Sequence, residues 1–233
     1  MPGAELRLIR RRIRTVQSTM KITRAMELIA SSRIVRAQQR VTGSQPYTAR
    51  MREVVGNLSR ASGSVQHPLL ATRPLATAGV LVVASDRGLA GAYNANVLRA
   101  AEEFIRREGR DKIGLILIGK KGVNHFRGKG IPVLHSYSGF HGVYNTLMSD
   151  EIAGVLSHLY LAQKFDAVFI AYSSFHSTVI QEAVIEPFLP VSLPRGSRED
   201  FILEQDFDEL LGKIALKYMV TRMRLVLLRA FTS

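Results

Sequence analysis

The chain has 233 residues, of which 46% are hydrophobic, with no cysteine and a formal net charge of +13. That length holds one or two domains, and the absence of thiols excludes disulfide frameworks, thiolate nucleophiles and cysteine-ligated zinc or iron–sulfur centres. Residues 1–60 hold 13 Lys/Arg against 3 acids and residues 61–233 hold 19 against 16, so a basic arm precedes a nearly neutral body. This distribution suits nucleic acid, an anionic membrane or an acidic protein surface.

In residues 5–20 the apolar positions are Leu6, Ile9, Ile13, Val16 and Met20. Their intervals of 3 and 4 make a heptad seam, and Arg7, Arg10, Arg11, Arg12 and Arg14 occupy the rest of the surface. The helical pattern continues through "MKITRAMELIASSRIVRAQQR" (20–40), where Lys21, Arg24, Arg33, Arg36 and Arg40 face a single acid, Glu27. Like charges at these spacings cost a few tenths of a kcal/mol each in an isolated helix, which a facing acidic surface would offset. DNA is the alternative, but no helix-turn-helix or zinc finger is recognisable, and the seam calls for a helical partner. Gly43 and Pro46 in "TGSQPY" are positions at which the helix stops or kinks, after which "ARMREVVGNLSRA" resumes helical spacing. A helix of about 55 residues is about 80 Å long, too long for a compact domain of this size, so it is expected to project. The Arg-rich, acid-poor start has the composition of a mitochondrial presequence, yet the same residues run on into the helix. No apolar run reaches the roughly 18 residues of a membrane span, and no secretory signal is visible.

Residues 61–78 collect Gly, Ser, Pro and Thr and read as a linker. "GVLVVAS" (79–85), "KIGLILIG" (112–119), "IPVLHSY" (131–137) and "DAVFIAYSS" (166–174) read as strands. "STVIQEAVIEPFLPVSL" (177–193) reads as a fifth, antiparallel to its neighbour. Between them lie helical stretches: 94–109 ending at Gly109, a short one at "KKGVNHFRGKG", and 149–165 with Ser149 as its cap. This alternation predicts an α/β domain over 79–195 with a mostly parallel sheet. A last helix opens with an Asp206–Glu209 capping pair and carries a second heptad seam at Leu211, Ile214, Tyr218, Thr221, Leu225 and Leu228. Two seams at opposite ends of one chain bury each other only as an antiparallel pair, with the α/β body at its base.

Local motifs are weak. "VVASDRGLAGAYNANV" (82–97) is a strand, a Gly-containing turn and a helix start, an arrangement that can hold phosphate on backbone N–H groups. Ala92 and Tyr93 stand where a P-loop places its Lys and Ser/Thr, so a tight βα corner is the simpler reading. The six histidines show no metal-ligand spacing. Ser173, Ser174 and His176 lack a nucleophile elbow.

At "IRRRIRTVQSTMKITRAMELIASSRIVRAQ" (9–38) the sequence closely resembles the gamma subunit of F-type ATP synthases, with "KITRAMEL" the most specific core. "SQPY" (44–47) matches a second family position, and residues 82–97 match the SDRGL block, with Ala90 where many members carry Cys. The resemblance implies an antiparallel two-helix coiled coil built from 1–60 and 205–233, above a Rossmann-like α/β foot with a mostly parallel five-stranded sheet. It implies a non-catalytic rotor shaft that couples proton translocation to ATP synthesis on partner beta subunits. The implied partners are the alpha and beta subunits of the catalytic hexamer, the epsilon subunit and the c-subunit ring. No nucleic acid, cofactor, metal or catalytic residue of its own is implied, and the location is peripheral, on the cytoplasmic face of a bacterial plasma membrane. Lys21, Arg24 and Met26 match the family's contact region for acidic loops of the beta subunits. Arg33, Asp86 and Arg87 are further expected partner contacts. Family members carry a longer C-terminal helix beyond "AFTS", so a shortened C-terminus is expected here. Two rival readings remain at this point: a nucleotide-binding α/β enzyme using the Gly88–Gly91 turn, and a basic nucleic-acid-binding module.

Overall fold

A computed structural model describes residues 2–61, 67–140, 144–175, 177, 180–192 and 207–232. His176, residues 62–66 of the expected linker and the Asp206–Glu209 capping pair lie outside the described residues and side chains. The chain divides into two compact units, residues 1–40 and 41–233.

The first helix, α1 (Pro2–Ala61), has 60 residues and continues through Pro46, so neither Gly43 nor Pro46 ends it. Proline removes one helical donor and crowds the preceding turn. Hydroxyls flank the site: Ser44 donates to the Val41 carbonyl at 2.9 Å and Thr48 to the Ser44 carbonyl at 3.0 Å.

Within 41–233, β1 (Ala78–Val83), α2 (Tyr93–Glu108), β2 (Ile113–Ile118), α3 (Lys120–Phe126) and β3 (Val133–Tyr137) are followed by α4 (Thr146–Leu161), β4 (Ala167–Phe175), β5 (Gln181–Leu189) and α5 (Phe207–Thr232). The five strands form one sheet in the order β3-β2-β1-β4-β5. β1 lies parallel to β2 and β4, β2 parallel to β3, and β5 antiparallel to β4. The fold is therefore α/β with a mostly parallel five-stranded sheet and helices at both ends of the chain, as expected.

β1 and β2 are buried throughout, because parallel strands covered by helices on both faces need apolar side chains at every position. Successive residues point to opposite faces. Val80, Val82, Leu115 and Leu117 join Val97, Ala101 and Phe104 of α2 in one core. Leu81, Val83, Ile116 and Ile118 join Ile152, Leu156 and Tyr160 of α4 and Met219, Met223 and Leu227 of α5 in the other. Gly79 and Gly114 pair directly across β1 and β2, and the Phe165 ring lies against both. A Cβ would come within 2.7 Å of the ring at Gly79 and 2.6 Å at Gly114.

α5 buries more than one seam. Leu211, Tyr218, Thr221 and Leu228 are buried, as are Ala215, Met219, Met223, Val226 and Ala230, because the helix packs against both α4 and β4. Val55, near the end of α1, belongs to the same core as Tyr218 and Met219, so both terminal helices contribute to it. Arg224 holds the Asp150 carboxylate through two bonds of 2.8 and 3.0 Å, tying α5 to α4. Arg222 donates to the Pro187 carbonyl at 2.5 Å, tying α5 to β5.

Ser149 does not cap α4. The helix starts one turn earlier at Asn145, whose Oδ1 accepts the Leu147 N–H at 3.0 Å, while the Ser149 hydroxyl donates to the Thr146 carbonyl at 2.7 Å. Asparagine and serine cap about equally well, so local preference did not separate them.

Asp166 fastens the segment that enters β1. Its carboxylate accepts the N–H groups of Ala76 at 3.0 Å and Thr77 at 2.8 Å. The Thr77 N–H bond, joined by those from Ala76 and the Thr77 hydroxyl, holds the Asp166 pKa below the usual carboxylate value. A depressed folded pKa stabilises the fold above the unfolded value of about 3.9 and loses that contribution as pH falls through the lower folded value. The gap in melting temperature between wild type and Asp166→Asn is thus expected to be constant near neutrality and to close below about pH 4. A gap that stays open in strong acid would refute this assignment.

Candidate functional site

In residues 4–36 every side chain is exposed. The seam residues Leu6, Ile9, Ile13, Val16 and Met20 are each at least half exposed. Thr15, Thr19 and Thr23 each donate a hydroxyl bond to the carbonyl four residues earlier, at 3.0, 2.9 and 2.9 Å, so the polar side chains along that line are satisfied within the helix. Lys21, Arg24 and Arg33 are exposed and Met26 is half exposed. At 3.6 residues per turn, Lys21 and Arg24 share one side of α1, and Met26 and Arg33 share the other. The four expected contacts therefore make two pairs, not one patch.

Asp86 and Arg87 lie elsewhere, in the turn between β1 and α2. The Asp86 carboxylate accepts the N–H of Lys120 at 3.1 Å and of Gly139 at 2.9 Å. It thereby joins the loops that follow β1, β2 and β3. The Ser85 N–H donates to Asn94 Oδ1 at 3.0 Å and the Ser85 hydroxyl to the Arg87 carbonyl at 2.5 Å. Tyr93 donates to the Val83 carbonyl at 3.2 Å, and burial of its hydroxyl pushes the phenol pKa well above its ordinary value, so it stays a neutral donor. Arg87 is exposed, and Leu89, with φ of 62°, is 94% exposed at the tip of the turn. Beside the turn is a hollow of about 200 Å³ lined by Ala84, Gly88, Tyr93, Ile118, Phe140 and Phe231. Its lining is mostly apolar; Ser85 and Asp86 at its edge are engaged in pinning loops together, while the Arg87 side chain stays exposed. The turn is a structural corner, with Ala92 and Tyr93 where a P-loop places its Lys and Ser/Thr.

Sequence reasoning picked out Asp86 and, within the SDRGL block, Ser85, but not the bonds they make, and it did not single out Asn94 or Gly119. Gly119 has φ of 88°, and its N–H donates to the Tyr137 carbonyl at 2.7 Å. The partners of these residues are distant in sequence, and no periodicity announces them. Among the described residues, no group of His, Asp and Glu is placed to hold a metal ion, and no helix is long and apolar enough to cross a membrane.

A family model described as ATP synthase matches residues 5–233. The ATP synthase gamma chain of Moorella thermoacetica is 37% identical over 232 residues, which span 99% of this chain and 82% of that one. The chain belongs to the ATP synthase gamma chain family. The gamma chain of Acidothermus cellulolyticus is 42% identical over 205 residues, covering 84% of this chain and 68% of its own. Among solved structures, a chain of the central stalk and c-ring of the Tetrahymena thermophila mitochondrial ATP synthase superposes with a TM-score of 0.69 at 18% identity, covering 91% of this chain and 93% of that one. That likeness shows a shared fold. Membership in the gamma chain family leaves the nucleotide-enzyme and nucleic-acid readings without support.

Proposed function

We propose that the chain is the central-stalk rotor subunit of an F-type ATP synthase. It couples proton translocation through the membrane sector to ATP synthesis on partner beta subunits and is non-catalytic itself. On this reading residues 1–60 and 205–233 form the shaft, 61–78 a linker and 79–195 the foot. The shaft turns inside the hexamer of alpha and beta subunits. The foot meets the epsilon subunit and the c-subunit ring, on the cytoplasmic face of a bacterial plasma membrane.

The observation that carries the reading is the basic helix, exposed throughout residues 4–36, in a segment 1–60 that holds 13 Lys/Arg against 3 acids, in a chain of the gamma family. A rotor needs attraction to its housing without a rigid fit. Long, exposed Lys and Arg side chains supply that, because exposed ion pairs are weak and easily exchanged. Lys21, Arg24, Met26 and Arg33 supply contacts to acidic loops of the beta subunits. Arg87 supplies a contact from the foot, and Asp86 holds the loop that presents it.

The test is capture. Mixed with alpha, beta and epsilon subunits, the purified chain is expected to elute with them as one complex, and alone to hydrolyse no ATP. Recovery of the chain alone, with all three partners in the flow-through, would sink the proposal.

A further inference from the structure

The charge of the body is concentrated in one layer. Residues 93–130, which comprise α2, the Arg110–Lys112 turn and α3, hold nine Lys/Arg against four acids. They cover the sheet face opposite α4 and α5. Not one large apolar side chain is exposed in this layer. Where the last turn of α2 meets the end of α3, Arg106, Arg110 and Lys129 line a cleft of about 140 Å³ floored by Ile105, Phe126 and Ile131. Glu102 also lines it, but its carboxylate is engaged by Lys129 and by His125 Nε2 at 3.0 Å. Those bonds, from Lys129 first, hold its pKa below the usual value. Among the described residues Arg106 and Arg110 make no ion pair, whereas Arg107 pairs with Glu108 and stacks over Phe104.

We infer that this layer docks on an anionic phospholipid surface, with one phosphate headgroup seated in the cleft between Arg106, Arg110 and Lys129. Guanidinium groups match phosphate oxygens in planar, two-point geometry. An acidic protein surface fits less well, because the core of a protein interface is depleted in charge and rich in aromatic and apolar side chains, and this layer exposes none. Nucleic acid fits less well too, since single strands are held on exposed aromatic platforms and duplexes along a row of phosphate contacts, whereas the cleft has room for one headgroup. The inference stands apart from the stalk reading, because a stalk subunit need not touch lipid.

The chain has no cysteine, so single labels can be introduced cleanly on the full chain. Asn124→Cys places one on the exposed face of α3, and His158→Cys one on the exposed face of α4. On phosphatidylglycerol-containing vesicles that carry a quencher in the headgroup region, the label at 124 is expected to be quenched and that at 158 spared. Binding should be absent from pure phosphatidylcholine vesicles. The triple variant Arg106→Gln, Arg110→Gln, Lys129→Gln should lose about a hundredfold in vesicle affinity, about fivefold per charge removed. It should also lose the quenching at 124, and the double variant Arg106→Gln, Arg110→Gln, which leaves the Lys129–Glu102 pair in place, should weaken vesicle binding while keeping its melting temperature. Flotation without quenching at 124, as attachment through the basic N-terminal helix alone would produce, overturns the inference. So does a triple variant that binds and quenches like wild type. Binding to duplex or single-stranded nucleic acid that needs the same three cations, without binding to vesicles, assigns the cleft to a different phosphate polymer and overturns it as well.

Discussion

Gly119→Ala is expected to unfold the α/β body under conditions where the wild type is fully folded. At φ of 88° and ψ of 141°, this residue occupies backbone space that is nearly closed to side chains, which alone costs about 1–3 kcal/mol. A Cβ there would also lie 2.2 Å from the Ala84 carbonyl oxygen. The obstacle is backbone, fixed by the parallel pairing of β1 with β2, so no rotamer change relieves it. Any shift also strains the bonds from Gly119 N–H to the Tyr137 carbonyl and from Lys120 N–H to Asp86. Together these effects reach about 4 kcal/mol or more, a large part of a domain's stability. Gly128→Ala is the control. Its φ is 77°, yet nothing lies within 4 Å of the added Cβ, so only the local strain of about 1 kcal/mol remains. Denaturant melts followed by circular dichroism decide the matter. Equal midpoints for the two variants would mean that the corner yields and that the loops it joins are not rigid.

The second large effect concerns assembly, not folding. Lys21→Glu, Arg24→Glu and Arg33→Glu in one chain should weaken capture by the alpha–beta hexamer by about 2–4 kcal/mol, taking each exposed pair at up to 1 kcal/mol and adding the repulsion that reversal introduces. All three side chains are exposed, so the melting temperature of the isolated chain should stay where it was. The loss should shrink as salt is raised, since exposed charges are screened within about 10 Å at 0.1 M. Because Lys21 and Arg24 share one side of the helix and Arg33 lies on the other, the single reversals also report which side faces acid. Unchanged capture by the triple variant at low salt would remove these residues from the contact, and the basic helix would need another explanation.

Much of this was legible in the chain alone. "GVLVV" and "IGLILI" are short, wholly apolar and followed by helical spacing, and a strand buried on both faces permits little else. The antiparallel setting of β5, the end of α2 at Gly109 and the excess charge of the first forty residues could also be read directly. The family motif at 9–38 was legible for a simpler reason, being a long string of residues in one continuous element.

Other features depended on partners far along the chain. α1 passes through Pro46 where a local rule allows a stop. α4 begins at Asn145 and not at Ser149, because two good caps lay within one turn of each other. α5 carries a seam-like pattern but buries several faces, since the sheet and α4 receive it together. Asp86, expected from the sequence as a partner contact, is also an acceptor for two loops that lie 34 and 53 residues away. Arg106, Arg110 and Lys129 are ordinary surface cations in sequence and line a common cleft only after α2 and α3 have packed side by side. Composition and periodicity determined the elements and the charge distribution, because these depend on neighbours within a few residues, and the family motif implied the class of partner. The corner, the two-sided burial of α5 and the cation cleft were decided by tertiary structure, because each depends on groups that only the folded sheet brings within bonding distance.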